Sequence, residues 1–209
     1  MIKNTKTTLK FGYLICFELF FSLLVFDQIT KRIAKSGLSN RKPFVIIKNV
    51  LEFNYLEGGN KGAAWGILKG HIGFLAILSI IITIIAVFLI ARIEYIIHVV
   101  DLERKIILKL NLVKVLLIFF AAGAMGNAID RVFRKYVIDF IYFKLIDFPI
   151  FNVADCYVVV STILLAIIVL FIDDDILAMI NPKNKTDGKA FAEKNDDVND
   201  EVAVDSDNE

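Results

Sequence analysis

The sequence predicts an all-α membrane protein, with four transmembrane helices and a small extracytoplasmic β-type surface loop. Three observations carry that expectation. The 209-residue chain is 57% hydrophobic, with 18 Phe and only 3 Pro, whereas an ordinary soluble domain is roughly 45–50% apolar. Four stretches approach the ~20 apolar residues that cross a bilayer. Charge is also segregated: residues 173–209 hold twelve acidic and four basic side chains, so residues 1–172 hold eleven acidic and twenty basic. Residues 1–172 are therefore expected to form the membrane domain. Residues 173–209 are expected to be a disordered cytoplasmic tail, because so polar a segment buries too little apolar area to order itself.

The first span covers residues 11–26, contains Glu18 and is closed by Asp27. It needs residues 28–30 to reach full length, which places Asp27 near the interface. Lys3, Lys6 and Lys10 precede it, but no small-x-small cleavage site follows, so it reads as a retained helix rather than a cleaved signal peptide. The loop after it holds a β-type run, Phe44-Val45-Ile46-Ile47, and a loosely alternating one over residues 50–56. Glu57-Gly58-Gly59-Asn60 reads as a turn. Together these predict a small sheet or hairpin on the membrane surface.

The second span, residues 72–91, is uncharged and rich in Ile. Residues 93–109 mix aliphatic side chains with Glu94, Asp101, Glu103, Arg104 and Lys105, as in an extended or amphipathic helical link. The third span runs from about 112 to 129, with Lys114 placed to snorkel toward headgroups. The fourth covers 156–172, extended at its start by 148–154.

Four spans put both termini on one side of the membrane. Lys3, Lys6, Lys10, Arg92, Arg104, Lys105 and Lys109 make that side the cytoplasm by the positive-inside rule. The loop after the first span opposes this with Lys31, Arg32, Lys35, Arg41, Lys42, Lys48, Lys61 and Lys69. A loop packed as a structured unit would reconcile the two. Cys16 and Cys156 lie in different apolar stretches and suggest no disulfide framework. His71 and His98 stand alone among aliphatic residues, which favours packed or interfacial histidines over metal ligands.

Polar residues collect where the apolar segments end. They are Asp27 to Lys31, Asn60 to Gly66 with Trp65 as an interfacial anchor, Gly123 to Arg131, and Phe151 to Asp155. Asn127 and Asp130 share a helical face, as do Asn152 and Asp155. Arg131 beside Asp130 suggests an ionised structural carboxylate. Asp139, in Val-Ile-Asp-Phe, and Asp155, in Phe-Asn-Val-Ala-Asp, are the candidate reactive pair. An ionisable residue in or near a bilayer is a functional-site hypothesis by default. Two carboxyls that meet in a dry site do not both ionise easily, which yields an acid beside a base. Each patch alone has a plainer explanation, such as an interfacial charge pair or a carboxylate at a helix N-terminus. A proton-coupled transporter also uses intramembrane carboxylates, but no inverted repeat is evident. A membrane scaffold would account for the tail and leave the patches unexplained.

The chain resembles the lipoprotein signal peptidases, or signal peptidase II, from about residue 26 to 165. The resemblance rests on FDQITK at 26–31, NKGAAWGIL at 60–68, GAMGNAIDRV at 123–132, YVIDFI at 136–141 and FNVADC at 151–156. It implies a membrane aspartic endopeptidase of the bacterial cell membrane, multi-pass, with both termini cytoplasmic. The implied catalytic residues are Asp139 and Asp155. The implied supporting residues are Asp27, Lys31, Asn60, Asn127, Asp130, Arg131 and Asn152. The implied substrate is a prolipoprotein cut just before a cysteine that already carries diacylglycerol, its lipid entering from the membrane. Neither a metal, an organic cofactor nor a nucleic-acid partner is implied.

Overall fold

The computed structural model describes residues 5–62, 68 and 70–170. Its elements are α1 (Thr5–Leu38), β1 (Phe44–Ile47), β2 (Leu51–Phe53), α2 (Ile72–Val99), α3 (Arg104–Ile129), β3 (Ile141–Phe143) and α4 (Val153–Leu170). All four helices are long and apolar enough to cross a membrane. Residues 1–166 form one compact unit; a second, 167–209, is described only through Leu170 at the end of α4. The expected tail, 173–209, and Trp65 lie outside the described residues.

Helices are the outcome the bilayer demands, because every backbone donor and acceptor must be satisfied within the segment. The outward faces carry exposed Phe17, Ile77, Ile84, Phe88, Ile163 and Val169, a surface suited to lipid rather than water. The inward face of α3 is built from small residues, with Ala121, Ala122, Gly123, Ala124 and Gly126 all buried. Small side chains let neighbouring helices approach closely in a membrane. A Cβ at Gly123 would run into the Ala154 carbonyl of α4, and one at Gly126 would come 2.5 Å from Asp27 Oδ2 of α1.

Several boundaries differ from the sequence expectation. α1 is continuous for 34 residues, about 50 Å at ~1.5 Å per residue, so Glu18 and Asp27 interrupt nothing. Asp27 is fully buried within the bundle. Residues 93–109 are not a separate link: α2 runs on to Val99 and α3 begins at Arg104. Lys114 does not snorkel outward but pairs with the buried Glu94 of α2. α4 starts at Val153, while Phe151 bridges back to Ile141 instead of extending the helix.

The expected hairpin is present: β1 pairs antiparallel with β2, Phe44 opposite Phe53. Gly58 and Gly59, at φ +79° and +66°, make the turn that ends the segment. β3 was not foreseen; it pairs antiparallel with β2, Leu51 opposite Phe143, to give a three-stranded sheet. A small apolar core of Ala34, Tyr55, Ile138 and Phe140 packs the sheet against the end of α1. Phe53 meets Phe140 edge to face at 5.9 Å.

At the other end of the bundle Glu94 ties three helices together. It pairs with Lys114 of α3, lies 3.2 Å from His98 Nδ1 and accepts from Cys16 Sγ of α1 at 4.0 Å. A Cβ at Gly12 of α1 would collide with the Glu94 carboxylate, whereas one at Gly37 would meet nothing within 4 Å. Gly12→Val should therefore destabilise the detergent-solubilised protein by about 1–3 kcal/mol, the usual scale of overpacking. Gly37→Ala should leave the thermal midpoint unchanged or higher; an unchanged midpoint in Gly12→Val would show that the Glu94 brace is loose.

Candidate active site

The site is assembled around one cation. Lys31 projects from α1, is fully buried, and commits its three ammonium donors. Nζ lies 2.9 Å from Asp27 Oδ2, 3.3 Å from Asp130 Oδ2 and 2.9 Å from Asn127 Oδ1. Asp27 sits one turn earlier on the same face, the spacing at which helical side chains meet. Its other oxygen accepts from the Ala154 backbone N–H at 3.1 Å, which fastens the start of α4 to α1. Asp130 opens a π-helical turn, Asp130–Arg134, that closes α3. Its Oδ2 also accepts from the Ile138 backbone N–H at 3.1 Å, so it sets the path of the chain that carries Asp139.

Asn127 passes this order on. Its amide oxygen accepts from Lys31, and its Nδ2 donates to Asp155 Oδ1 at 2.8 Å. Asn152, just ahead of α4, is tied reciprocally to Asp155. The Asn152 backbone N–H donates to Asp155 Oδ2 at 3.1 Å, and the Asp155 N–H donates to Asn152 Oδ1 at 3.1 Å. That is a capping box, which satisfies two helix-end donors at once. The remaining amide group of Asn152, Nδ2, donates to Asn127 Oδ1 at 3.1 Å and to Asp139 Oδ1 at 2.7 Å. Asn152 therefore bridges the two candidate aspartates.

Asp139 is held from both sides. Asn60 Nδ2 donates to its Oδ2 at 2.9 Å, opposite the Asn152 bond. Asn60 is itself fixed by a two-way backbone bridge to Val137, at 2.8 and 2.9 Å. Asp139 is 1% exposed, while Asp155 keeps some surface open. Burial, and next the charge of Asp155, push the Asp139 carboxyl up to about 7 against the opposing amide bonds and Lys31. The structure thus brings Asp27, Lys31, Asn60, Asn127, Asp130, Asp139, Asn152 and Asp155 into one hydrogen-bonded network. No buried side-chain polar atom among the described residues is left without a partner.

Arg131 corrects one expectation. It does not pair with Asp130; its guanidinium reaches Ser79 Oγ of α2 at 3.5 Å and the Gly62 carbonyl at 3.4 Å. Asp130 pairs instead with Arg134, one helical turn on, and with Lys31. Adjacent helical residues diverge by about 100°, whereas those four apart align. That spacing was the available signal for Arg134. Gln28 was also missed: its Nε2 donates to Asp27 Oδ2 at 3.0 Å and to the Gly126 carbonyl at 3.2 Å. Among the described residues no group of three or more His, Cys, Asp or Glu side chains is arranged to hold a metal ion.

Four apolar helices thus close at one end on two aspartates bridged by the Asn152 amide and backbone. A family model described as signal peptidase (SPase) II matches residues 19–171. The lipoprotein signal peptidase of Clostridium novyi is 39% identical over 150 residues, 70% of this chain and 91% of that protein. The Staphylococcus haemolyticus lipoprotein signal peptidase is 36% identical over 151 residues, 71% and 86% of the two chains. Two solved structures, each described as a bacterial membrane enzyme, are also similar. One is 33% identical with a TM-score of 0.58, covering 75% of this chain and 87% of that one. The other is 32% identical with a TM-score of 0.59, covering 76% and 94%. The chain belongs to the signal peptidase II family, and the transporter alternative is set aside.

The network makes a stability prediction. Lys31→Met leaves Asp27 and Asp130 facing each other in a dry interior without their shared cation. Breaking a buried pair in this way should destabilise by about 3–5 kcal/mol. Arg131→Ala removes two long contacts and an attraction at a distance to Asp155 and Asp139 without stranding two carboxylates on one lost cation, and should cost less than the Lys31 change, about 1–2 kcal/mol. Reversible unfolding in mixed micelles would compare them, and equal losses would contradict the central place given to Lys31.

Proposed function

We propose that the protein removes the signal peptide from diacylglyceryl-modified prolipoproteins, cutting just before the lipidated cysteine, with Asp139 and Asp155 as the catalytic pair. The observation that carries the catalytic assignment is the Asn152 bridge. It holds one buried carboxyl and one partly open carboxyl at the same residue. Asp27, Lys31, Asn60, Asn127, Asp130 and Asn152 position that pair. Arg131 holds the loop at Gly62 against α2. The substrate lipid reaches the site from the membrane, and the sheet with residues 54–62 lies over the extended signal-peptide segment.

With Asp139 titrating at about 7, the pair retains one proton near neutral pH, and that proton belongs to the pair as a unit. A water enters at Asp155, the less enclosed of the two carboxyls. Asp155 takes one of its protons as the water oxygen bonds to the scissile carbonyl carbon. Asp139 gives its proton to the carbonyl oxygen as that oxygen becomes singly bonded. The tetrahedral intermediate then breaks its C–N bond. Asp155 returns its proton to the leaving amine of the cysteine, and one of the intermediate's two hydroxyl protons goes back to Asp139, leaving the new carboxylic acid with the other. No net proton or electron is consumed beyond one water, which is general acid–base catalysis by a carboxyl pair.

Asp139→Asn and Asp155→Asn should each lower cleavage by at least ~10²–10⁴, the usual scale for such a group, at unchanged membrane abundance. The assay is conversion of a diacylglyceryl prolipoprotein on a gel, and near-normal cleavage by either variant would remove that residue from the pair.

The pH profile gives an independent check. kcat/KM should fall on its alkaline side with an apparent pKa of about 7, as the pair loses its proton. The Asn60 amide stabilises ionised Asp139, so Asn60→Ala should move that limb to higher pH. A shift to lower pH would show that the titrating group is not Asp139.

We place both termini in the cytoplasm and the carboxylate end of the bundle outside, from the basic start of α1 and the basic residues near the α2–α3 connection. With Cys16 and Cys156 replaced, Lys42→Cys, on the exposed loop before β1, should label with an impermeant thiol reagent in intact cells. Protection there until the cells are opened would invert the topology.

A further inference from the structure

A second, cationic site lies beside the carboxylate network. A cavity of about 460 Å³ is lined by Arg32, Lys35, Ser36, Ser39, Arg134 and Ile138. Arg134 is engaged by Asp130 and donates to Gln28 Oε1 at 2.9 Å. Lys35 donates to the Tyr136 hydroxyl at 2.7 Å and lies 5.4 Å from the centre of that ring. Among the described residues neither Arg32 nor Lys35 has a carboxylate at ion-pair distance. Glu57 stands at the rim, where it accepts from the Ser39 hydroxyl at 3.3 Å and the Asn40 backbone N–H at 2.5 Å. Asp27, Asp130, Lys31 and Arg134 balance one another, so Arg32 and Lys35 give the cavity an excess of positive charge.

The surroundings say where the balancing anion comes from. Ile29 and Ile33 on the same turns of α1, and Phe133 beside Arg134, are 51%, 63% and 79% exposed. Such side chains belong against lipid, and long cationic side chains beside them can reach toward the headgroup layer. Arginine's planar fork matches phosphate oxygens, and hydroxyls such as those of Ser36 and Ser39 can donate to them. The excess charge also gives a purpose to Arg32 and Lys35, two of the basic residues that opposed the positive-inside reading, which lie in the last turns of α1. We propose that this cavity binds the phosphodiester of an anionic phospholipid, whose acyl chains lie along Ile29 and Ile33. The site is independent of the peptidase reading.

Full-length protein exchanged into micelles with equal phosphatidylglycerol and phosphatidylcholine would be analysed by native mass spectrometry. The wild type should retain the anionic lipid with a preference of roughly thirtyfold, as expected for two basic residues at a charged surface. Arg32→Gln with Lys35→Gln should abolish the preference. Arg32→Lys with Lys35→Arg should keep it, and so should Arg41→Gln with Lys42→Gln, which removes the same charge outside the cavity. A preference that survives the first pair of changes, or that is lost equally in the Arg41 and Lys42 variant, would overturn the site. Displacement of the bound lipid by soluble glycerol phosphate at comparable concentration would make the ligand a free phosphate ester and overturn the lipid assignment.

Discussion

Lys31 has no exposed surface, yet it sits where α1, α3 and the start of α4 converge. Removing an ammonium group from water is unfavourable by several kcal/mol unless its surroundings replace the lost hydration. Asp27, Asp130 and the Asn127 amide supply that replacement, and in doing so they are fixed themselves. Each has a second commitment: Asp27 to the Ala154 N–H, Asp130 to the Ile138 N–H, Asn127 to Asp155. One buried charge thereby sets the entry of α4 and the path of the segment that carries Asp139. A half-satisfied polar network would be worse than an apolar core; this one has no unpartnered buried side-chain atom among the described residues.

Close packing is the condition for that network. Asp27 reaches Ala154 because α1 and α4 both lie against the small-residue face of α3. Gly123 and Gly126 leave no room there for a side chain of any size. The sheet contributes from the other side. Tyr55, Ile138 and Phe140 form the apolar base on which it rests. The bridge between Asn60 and Val137 then aims the Asn60 amide at Asp139. The two aspartates end in different settings as a result, one enclosed by two amides and one at a helix start with an open side. In the proposed catalytic pair, such a difference in environment is what separates an acid from a base.

Much of this was legible in the sequence, and what was not has physical reasons. The spans followed from runs of apolar residues, and the polar network from Asp and Asn at their ends. α1 runs well beyond its apolar stretch, because Asp27 and Lys31 pair inside the bundle. Asp27 and Glu94 are buried because each has a cation to meet, and Lys31 at i+4 was visible while Lys114, twenty residues on, was not. Arg131 was assigned to Asp130 by adjacency, although the helical period favours Arg134. β3 pairs with a strand some ninety residues earlier, and a three-residue run carries no local signal of so distant a partner.

Burial and the charge of Asp155 push the Asp139 carboxyl up to about 7, so in the proposed mechanism the pair carries one proton near neutral pH. Infrared difference spectroscopy of the protonated carboxyl C=O band, wild type minus Asp139→Asn, reads that proton directly. The account predicts a band present at neutral pH that disappears with a midpoint of about 7. Its midpoint should fall when Asp155→Asn removes the neighbouring charge that helps raise it. No such band at neutral pH, or a midpoint indifferent to Asp155, would contradict the account.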